Sequence, residues 1–232
     1  MKKLLLILFL FSIPVYGTTL SDIRDEVRIR IKDSGTSTRF SDAELNAVIN
    51  EAQRDVINNT WAIQTTSNTE LSIGTTFYSI PDGVIDIRRV TLNGRSLEET
   101  TVIALDSEFN GSAWFLTGGV PRRYHQASGV LIGLYPFPNS SSSTGTLSVF
   151  YFSAPTDLSN DSDEIFNGSG RLFIYGDLLT SYTCYRVYLL EGEIEKSTLS
   201  RQEYESRLLV MKNNVGKRPN YNPSLSGTRS TR

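Results

Sequence analysis

The sequence is poor in the residues that most often mark a catalytic or metal centre. Among its 232 residues there is one cysteine, Cys184, and one histidine, His125. A single thiol excludes an intrachain disulfide and a cysteine-based zinc site, and it lies in an apolar, helix-like run where a small buried residue is expected. One imidazole excludes a histidine-rich metal site and leaves a Ser-His-Asp triad only through His125, with no G-x-S-x-G elbow to support it. Charge of one sign is also lacking. A net charge of −2 makes the whole molecule no attractor of nucleic acid, so such a role needs a local patch. No apolar run reaches the ~20 residues that a membrane-spanning helix requires. The longest, Leu4–Ile13, follows Met1-Lys2-Lys3 and precedes Pro14-Val15-Tyr16-Gly17, the pattern of a secretory signal over residues 1–17. Read alone, this segment predicts export.

What is present is ordinary for a globular chain: 39% hydrophobic and 21% charged residues, enough to build a core. Leu20, Ile23, Val27 and Ile31 recur at helical spacing over 20–32, and Ser34-Gly35 stops that helix. Ser41-Asp42-Ala43-Glu44 is a capping box, followed by the stripe Leu45, Ile49, Ala52, Val56. Two amphipathic helices with a short polar link predict a helical hairpin over 18–66. After Thr66 the pattern changes to strands: Glu70–Ile73 and Phe77–Ile80 around Gly74, then Val84–Leu92, Arg123–Gln126, Val130–Tyr135 and Thr146–Ser153. Asn93-Gly94 is the dipeptide of two-residue hairpins, with Leu97 pairing back across it, and Thr101–Phe109 reads as a short helix. An antiparallel β unit is therefore expected over 67–165. Arg171–Leu190 is apolar and aromatic on more than one side, which predicts a helix buried on several faces. Ile194–Met211 restarts as a helix after Gly192, with Leu199, Tyr204, Leu208 and Met211 inward, so that 166–213 completes a helical bundle. The class is α+β: N- and C-terminal helical hairpins, an inserted antiparallel β unit and a C-terminal tail over 214–232.

Several features carry candidate chemistry. Asp157, Asp161, Asp163 and Glu164 could hold calcium loosely, but they lack the glycine and distant glutamate of an EF-hand, and a solvated acidic loop capping the next helix fits better. Arg88-Arg89 and Arg122-Arg123 form basic doublets whose members alternation sends to opposite faces, leaving a sparse basic edge. Gly118-Gly119-Val120-Pro121 lacks the Lys-Ser/Thr of a phosphate loop. Trp61, Trp114 and Tyr135 could form a sugar platform, though core or interface explains each more simply. From Lys212 to Arg232 there are five basic residues and no acidic one, with Val215, Tyr221 and Leu225 the main apolar content. Composition alone reads this as a disordered terminus. No enzyme signature, cofactor motif or metal set stands out, and an interaction protein is expected.

Residues 20–211 resemble the head-to-tail adaptor (connector) proteins of tailed phages, of the podovirus-like type. The resemblance is carried by Leu20-Ser21-Asp22-Ile23-Arg24-Asp25-Glu26-Val27-Arg28, Arg39-Phe40-Ser41-Asp42-Ala43-Glu44-Leu45, Ile49-Asn50-Glu51-Ala52-Gln53-Arg54-Asp55, Ile80-Pro81-Asp82-Gly83, Ile87-Arg88-Arg89-Val90, Asn93-Gly94-Arg95-Ser96-Leu97-Glu98-Glu99, Gly119-Val120-Pro121-Arg122-Arg123-Tyr124 and Ile132-Gly133-Leu134-Tyr135-Pro136. It implies a non-enzymatic virion protein without cofactor: a homo-oligomeric ring, commonly twelvefold, assembled in the host cytoplasm. Such a ring joins the portal protein to a tail nozzle or tail-tube protein, and phage DNA passes its channel without sequence specificity. The resemblance further implies that the tail is an arm embracing the portal, with Lys217, Arg218, Tyr221, Leu225 and Arg229 as its contact residues. A ring needs heterologous contacts between copies, for which Phe173, Tyr182, Tyr185 and Tyr188 are candidates. The signal-like segment departs from the family and supports the alternative, an exported β-rich binding protein of the periplasm or cell surface.

Overall fold

The protein is seen here as a computed structural model, which describes residues 18–34, 38–110 and 113–216. Among these residues the chain is a mixed α+β structure of five α-helices and two antiparallel-rich sheets.

Helix α1 (Leu20–Arg30) opens on Thr19. Its hydroxyl accepts from the Asp22 N–H at 3.3 Å, while the Asp22 carboxylate accepts from the Thr19 N–H at 2.9 Å. Helix α2 (Asp42–Thr60) opens on the expected reciprocal pair, Ser41 and Glu44. It ends at Trp61, whose left-handed backbone (φ 49°) closes the last turn onto the Ile57 carbonyl. The expected stripe Leu45, Ile49, Ala52, Val56 is wholly buried.

The next strands belong to two sheets. One contains β1 (Gln64–Glu70), β3 (Val84–Leu92), β4 (Arg95–Ser96) and β8 (Thr146–Ser153), in the order β1-β8-β3-β4. The other contains β2 (Phe77–Ser79), β5 (Glu98–Glu99), β6 (Arg123–Ala127) and β7 (Leu131–Tyr135), in the order β2-β7-β6-β5; only the short β5–β6 pairing is parallel. Asn93 and Gly94 both take positive φ (49° and 79°), as a two-residue hairpin demands, and the Leu97 N–H donates to the Val90 carbonyl at 2.9 Å. Helix α3 (Val102–Glu108) follows, capped by the Thr101 hydroxyl.

The first strand lies earlier than the sequence suggests, at 64–70 rather than 70–73. Six of its seven residues are exposed, so no apolar alternation marks it. The strands on either side of Gly74 are not partners either: β1 pairs with β8 and β2 with β7.

Helix α4 (Gly176–Leu190) starts later than Arg171, after a 3-10 turn at Leu172–Tyr175. Leu178, Leu179, Thr180, Ser181, Thr183, Cys184 and Val187 bury most of its circumference against α1, α2 and helix α5 (Ile194–Gly216). Helix α5 runs beyond the expected end near Met211, because Val215, one turn on from Met211, lies on the same inward stripe at 4% exposure. Two cores result. One joins α1, α2, α4 and α5; the other lies in the β unit around Val90, Ile132, Leu134, Leu147 and Val149. Strand β3 serves both: Ile85 packs on the helical core, while Ile87, Val90 and Leu92 belong to the second.

Candidate interaction surfaces

The acidic segment between β8 and α4 is used within the chain. Asp161 pairs with Arg24 at 2.9 Å and Asp157 with Arg54, tying the loop to α1 and α2. The Asp163 carboxylate accepts from the N–H groups of Ser159 and Asn160 at 2.7 and 2.8 Å, which hold it below the usual carboxylate range. The Leu20 and Ser21 N–H groups donate to the carbonyls of Asp163 and Asp161, so the loop covers the start of α1. Two side-chain amides of α2 grip the same segment. Asn50 donates to the Leu158 carbonyl and accepts from its N–H, while Gln53 donates to the Thr156 carbonyl at 2.9 Å and accepts from the Phe166 N–H at 2.6 Å.

The link between α1 and α2 is held by a buried carboxylate. Asp33, 5% exposed, accepts from Arg28 at 2.9 Å and from the N–H groups of Arg39 and Phe40 at 2.7 and 3.2 Å. Burial alone pushes its pKa up, but those N–H donors and the two guanidinium charges outweigh it and hold the group below the usual value. Asp42 is likewise lowered by its hydrogen bond from Arg28. A carboxylate with a depressed folded pKa adds stability above its unfolded value of about 3.9, and that share is lost as pH falls through the folded value. The acid limb of a stability-against-pH curve should therefore steepen below about pH 4, and Asp33→Asn should flatten it. Identical acid limbs for the two proteins in urea titrations across that range would contradict this assignment.

His125 is 1% exposed and lies edge-on between Phe77 and Trp114. Burial pushes its pKa down, and its Nδ1 has no hydrogen-bond partner among the described residues. A Cβ at Gly133 would fall 2.2 Å from the ring, so a glycine on the facing strand makes room for it. This is a packed aromatic cluster rather than one arm of a triad. Cys184 is buried at 2% exposure, and desolvation pushes its thiol up to about 12. Trp61, Trp114 and Tyr135 do not share one exposed face. Trp61 leans on Phe152 with ring centroids 5.5 Å apart, whereas Trp114 is buried beside Tyr135 and donates to Asp106 at 2.6 Å.

The Arg88-Arg89 doublet departs from simple alternation. A register shift between Ile87 and Arg89 leaves both arginines exposed, lining one shallow depression with Gln64, Thr65, Thr66 and Phe150. Arg89 stacks 4.4 Å from the Phe150 ring centroid, and Arg88 donates to the Gln64 side chain at 2.9 Å. Of the second doublet, Arg123 is drawn to Glu108 and Glu98, while Arg122 is exposed.

Of the aromatic interface candidates, Phe173, Tyr182, Tyr185 and Tyr188 are all half-buried. The Tyr182 hydroxyl donates to Glu51 at 2.9 Å and its ring meets Tyr204; the Tyr188 hydroxyl donates to the Arg30 carbonyl at 2.9 Å. Tyr185 keeps one side toward a groove between α4 and α5, lined also by Leu189, Ile194 and Arg201. The arm residues Lys217, Arg218, Tyr221, Leu225 and Arg229 lie outside the described residues.

One surface escaped the sequence reading. Leu199, expected inward, is 67% exposed, because the inward stripe of α5 is Ser197, Tyr204, Leu208, Met211 and Val215, and Leu199 lies about 200° round the helix from Ser197. With Leu209 (60%), Val210 (55%), Gln202, Ser206 and Asn213, it forms an outward face that carries no charge over residues 199–213. The flanking charges are already paired, Arg201 with Glu205 and Arg207 with Glu203. The signal available in the sequence was the spacing 199, 206, 210, 213 of uncharged residues in an otherwise charged helix.

No helix among the described residues is long and apolar enough to cross a membrane, and none of their His, Cys, Asp and Glu side chains form a group that could hold a metal ion. The family model for the SU10 adaptor protein matches residues 18–226. No curated protein matches the chain.

Proposed function

The chain belongs to the SU10 adaptor protein family, the phage head-to-tail adaptors, and from that premise we propose that it is the structural ring joining the portal to the tail in the virion. The observation that carries this reading is the span of the match, residues 18–226, which takes in both the helical part and the β unit. The proposal has four finer parts. The relatives concerned are of the podovirus-like type. The helices of 18–66 and 166–213 form one bundle from which the β unit of 67–165 projects. Copies close into a ring, twelvefold by resemblance, around a channel for DNA. Residues 216–232 form an arm that grips the portal through Lys217, Arg218, Tyr221, Leu225 and Arg229.

A closed ring needs two different complementary faces on each copy. The uncharged face of α5 over residues 199–213 suits one of them, because the charges along its two sides, Arg201 with Glu205 and Arg207 with Glu203, are neutralised within the chain. Phe173, Tyr182, Tyr185 and Tyr188 are proposed as further subunit-interface residues, Tyr185 through the groove between α4 and α5. Leu209→Glu should leave the circular dichroism spectrum unchanged and lower the ring fraction in analytical ultracentrifugation at least about tenfold, the effect of burying one unpaired carboxylate. An unaltered ring fraction would exclude this face.

Deleting residues 216–232 tests the arm. Binding to purified portal rings should weaken while the thermal midpoint stays in place, and undiminished binding would remove the arm from the proposal. The exported reading rests on Met1–Gly17, which lie outside the described residues. Mass spectrometry of the natural product separates the two: detection in purified particles supports the adaptor, and a form cleaved after Gly17 in a periplasmic fraction supports export.

A further inference from the structure

Strand β1 is the outermost strand of its sheet and pairs with β8 in one unbroken register from Gln64 to Glu70. It carries none of the devices that usually blunt an open edge: Gln64-Thr65-Thr66-Ser67-Asn68-Thr69-Glu70 has no proline, no lysine and no bulge. An antiparallel edge strand turns alternate pairs of N–H and C=O groups outward, a row that serves as a template for a further strand. Among the described residues, the backbone of 64–70 bonds to β8 alone.

Two positive charges stand over the Gln64 end of this edge. Arg88 lies on β3, with β8 between it and β1, yet its guanidinium reaches the Gln64 side chain at 2.9 Å. Arg89 lies over the ring of Phe150, the residue opposite Thr66. Other arginines, such as Arg24, Arg54 and Arg207, pair with carboxylates, whereas Arg88 and Arg89 pair with none. Glu70 ends β1 on the face that Gln64 shares, about 20 Å away, so the charge along the edge runs from positive to negative. The planar fork of a guanidinium suits a carboxylate. A nucleic-acid backbone would carry its negative charge past Glu70 as well, and Phe150, lying under Arg89, offers no open ring to a base. The stretches of sequence outside the described residues contain no aspartate or glutamate, so such carboxylates come from another molecule. Every pairing in this sheet is antiparallel, and an antiparallel neighbour of β1 brings its C-terminal end to Gln64.

We infer that β1 takes up an extended segment of another polypeptide, paired antiparallel with it and carrying carboxylates near its C-terminal end that meet Arg88 and Arg89. Beside Glu70 that segment is neutral or basic. This goes beyond the adaptor proposal and is tested without portal or tail components, so failure here leaves that proposal untouched.

The probe is a capped, fluorescently labelled peptide, Lys-Thr-Val-Thr-Val-Thr-Glu-Thr-Glu, beside a control with lysine in place of both glutamates. By fluorescence anisotropy the glutamate peptide should bind the full chain at least about tenfold more tightly than the control, and reversing both charges (Arg88→Glu with Arg89→Glu) should abolish that preference. At saturation the outward amides of β1 should exchange at least about tenfold more slowly than in the free protein. Equal affinity for the two peptides overturns the inference, whether or not the reversed protein folds. So does unchanged exchange in β1 under saturating peptide. Protection of β1 that rises with protein concentration in the absence of peptide overturns it in favour of a second copy. Tighter binding of a DNA duplex than of the peptide, lost on the same charge reversal, overturns it in favour of a phosphate backbone.

Discussion

Gln53→Ala should lower stability by about 3 kcal/mol, which for a chain of this size lowers the thermal midpoint by roughly 6–12 °C. Gln53 is fully buried, and its amide serves two backbone groups of the segment between β8 and α4: the Thr156 carbonyl and the Phe166 N–H. Removing the amide leaves both in a dry interior, where an unsatisfied polar group costs about 1–3 kcal/mol. Gln53→Glu is the informative companion. It keeps the acceptor for Phe166 and loses the donor for Thr156, so its loss above pH 7 combines one orphaned carbonyl with a buried charge. Differential scanning calorimetry checks both, and a midpoint within 2 °C of wild type for Gln53→Ala would refute the clamp.

Phe166→Ala should be the more damaging change, about 3–5 kcal/mol in urea titrations. Among the described residues Phe166 is the largest fully buried side chain, packed in the helical core at 0% exposure. Its backbone has a positive φ of 54°, which a bulky residue adopts only when its surroundings demand it. Alanine keeps that backbone demand and removes the ring that answers it. Because the Phe166 N–H donates to Gln53, the double variant should lose less than the two single losses together, a coupling that a double-mutant cycle measures directly.

The helices were the most legible part of the chain. Ser41 and Glu44 announce α2 by chemistry alone, and the buried stripe Leu45 to Val56 follows from a 3.6-residue period. The capping role of Thr19 with Asp22 was equally available in the sequence and went unread. Strand β1 was illegible for a physical reason, since periodicity reports burial on one side and this edge strand has almost none. The bulge in β3 also leaves no local mark. It depends on β8, far away in sequence, and it undid the expectation that Arg88 and Arg89 face opposite ways. Leu199 was misassigned because leucine was read as inward, although the helix repeat puts it outside. As for the candidate sites, no local pattern distinguishes Tyr182 and Tyr188, which find partners on α2 and α1, from Tyr185, which borders a groove. Membership of an adaptor family was visible as a resemblance spread over residues 20–211 rather than in any one motif.

Strand β3 threads both hydrophobic cores, with Ile85 anchored among the helices and Ile87, Val90 and Leu92 anchored in the β unit. The two cores are thus joined by continuous covalent chain and by the hydrogen-bonded neighbour β8. The same hydrogen-bonded backbone belongs to both cores, so a displacement of the helices is passed along β3 and β8 into the β unit.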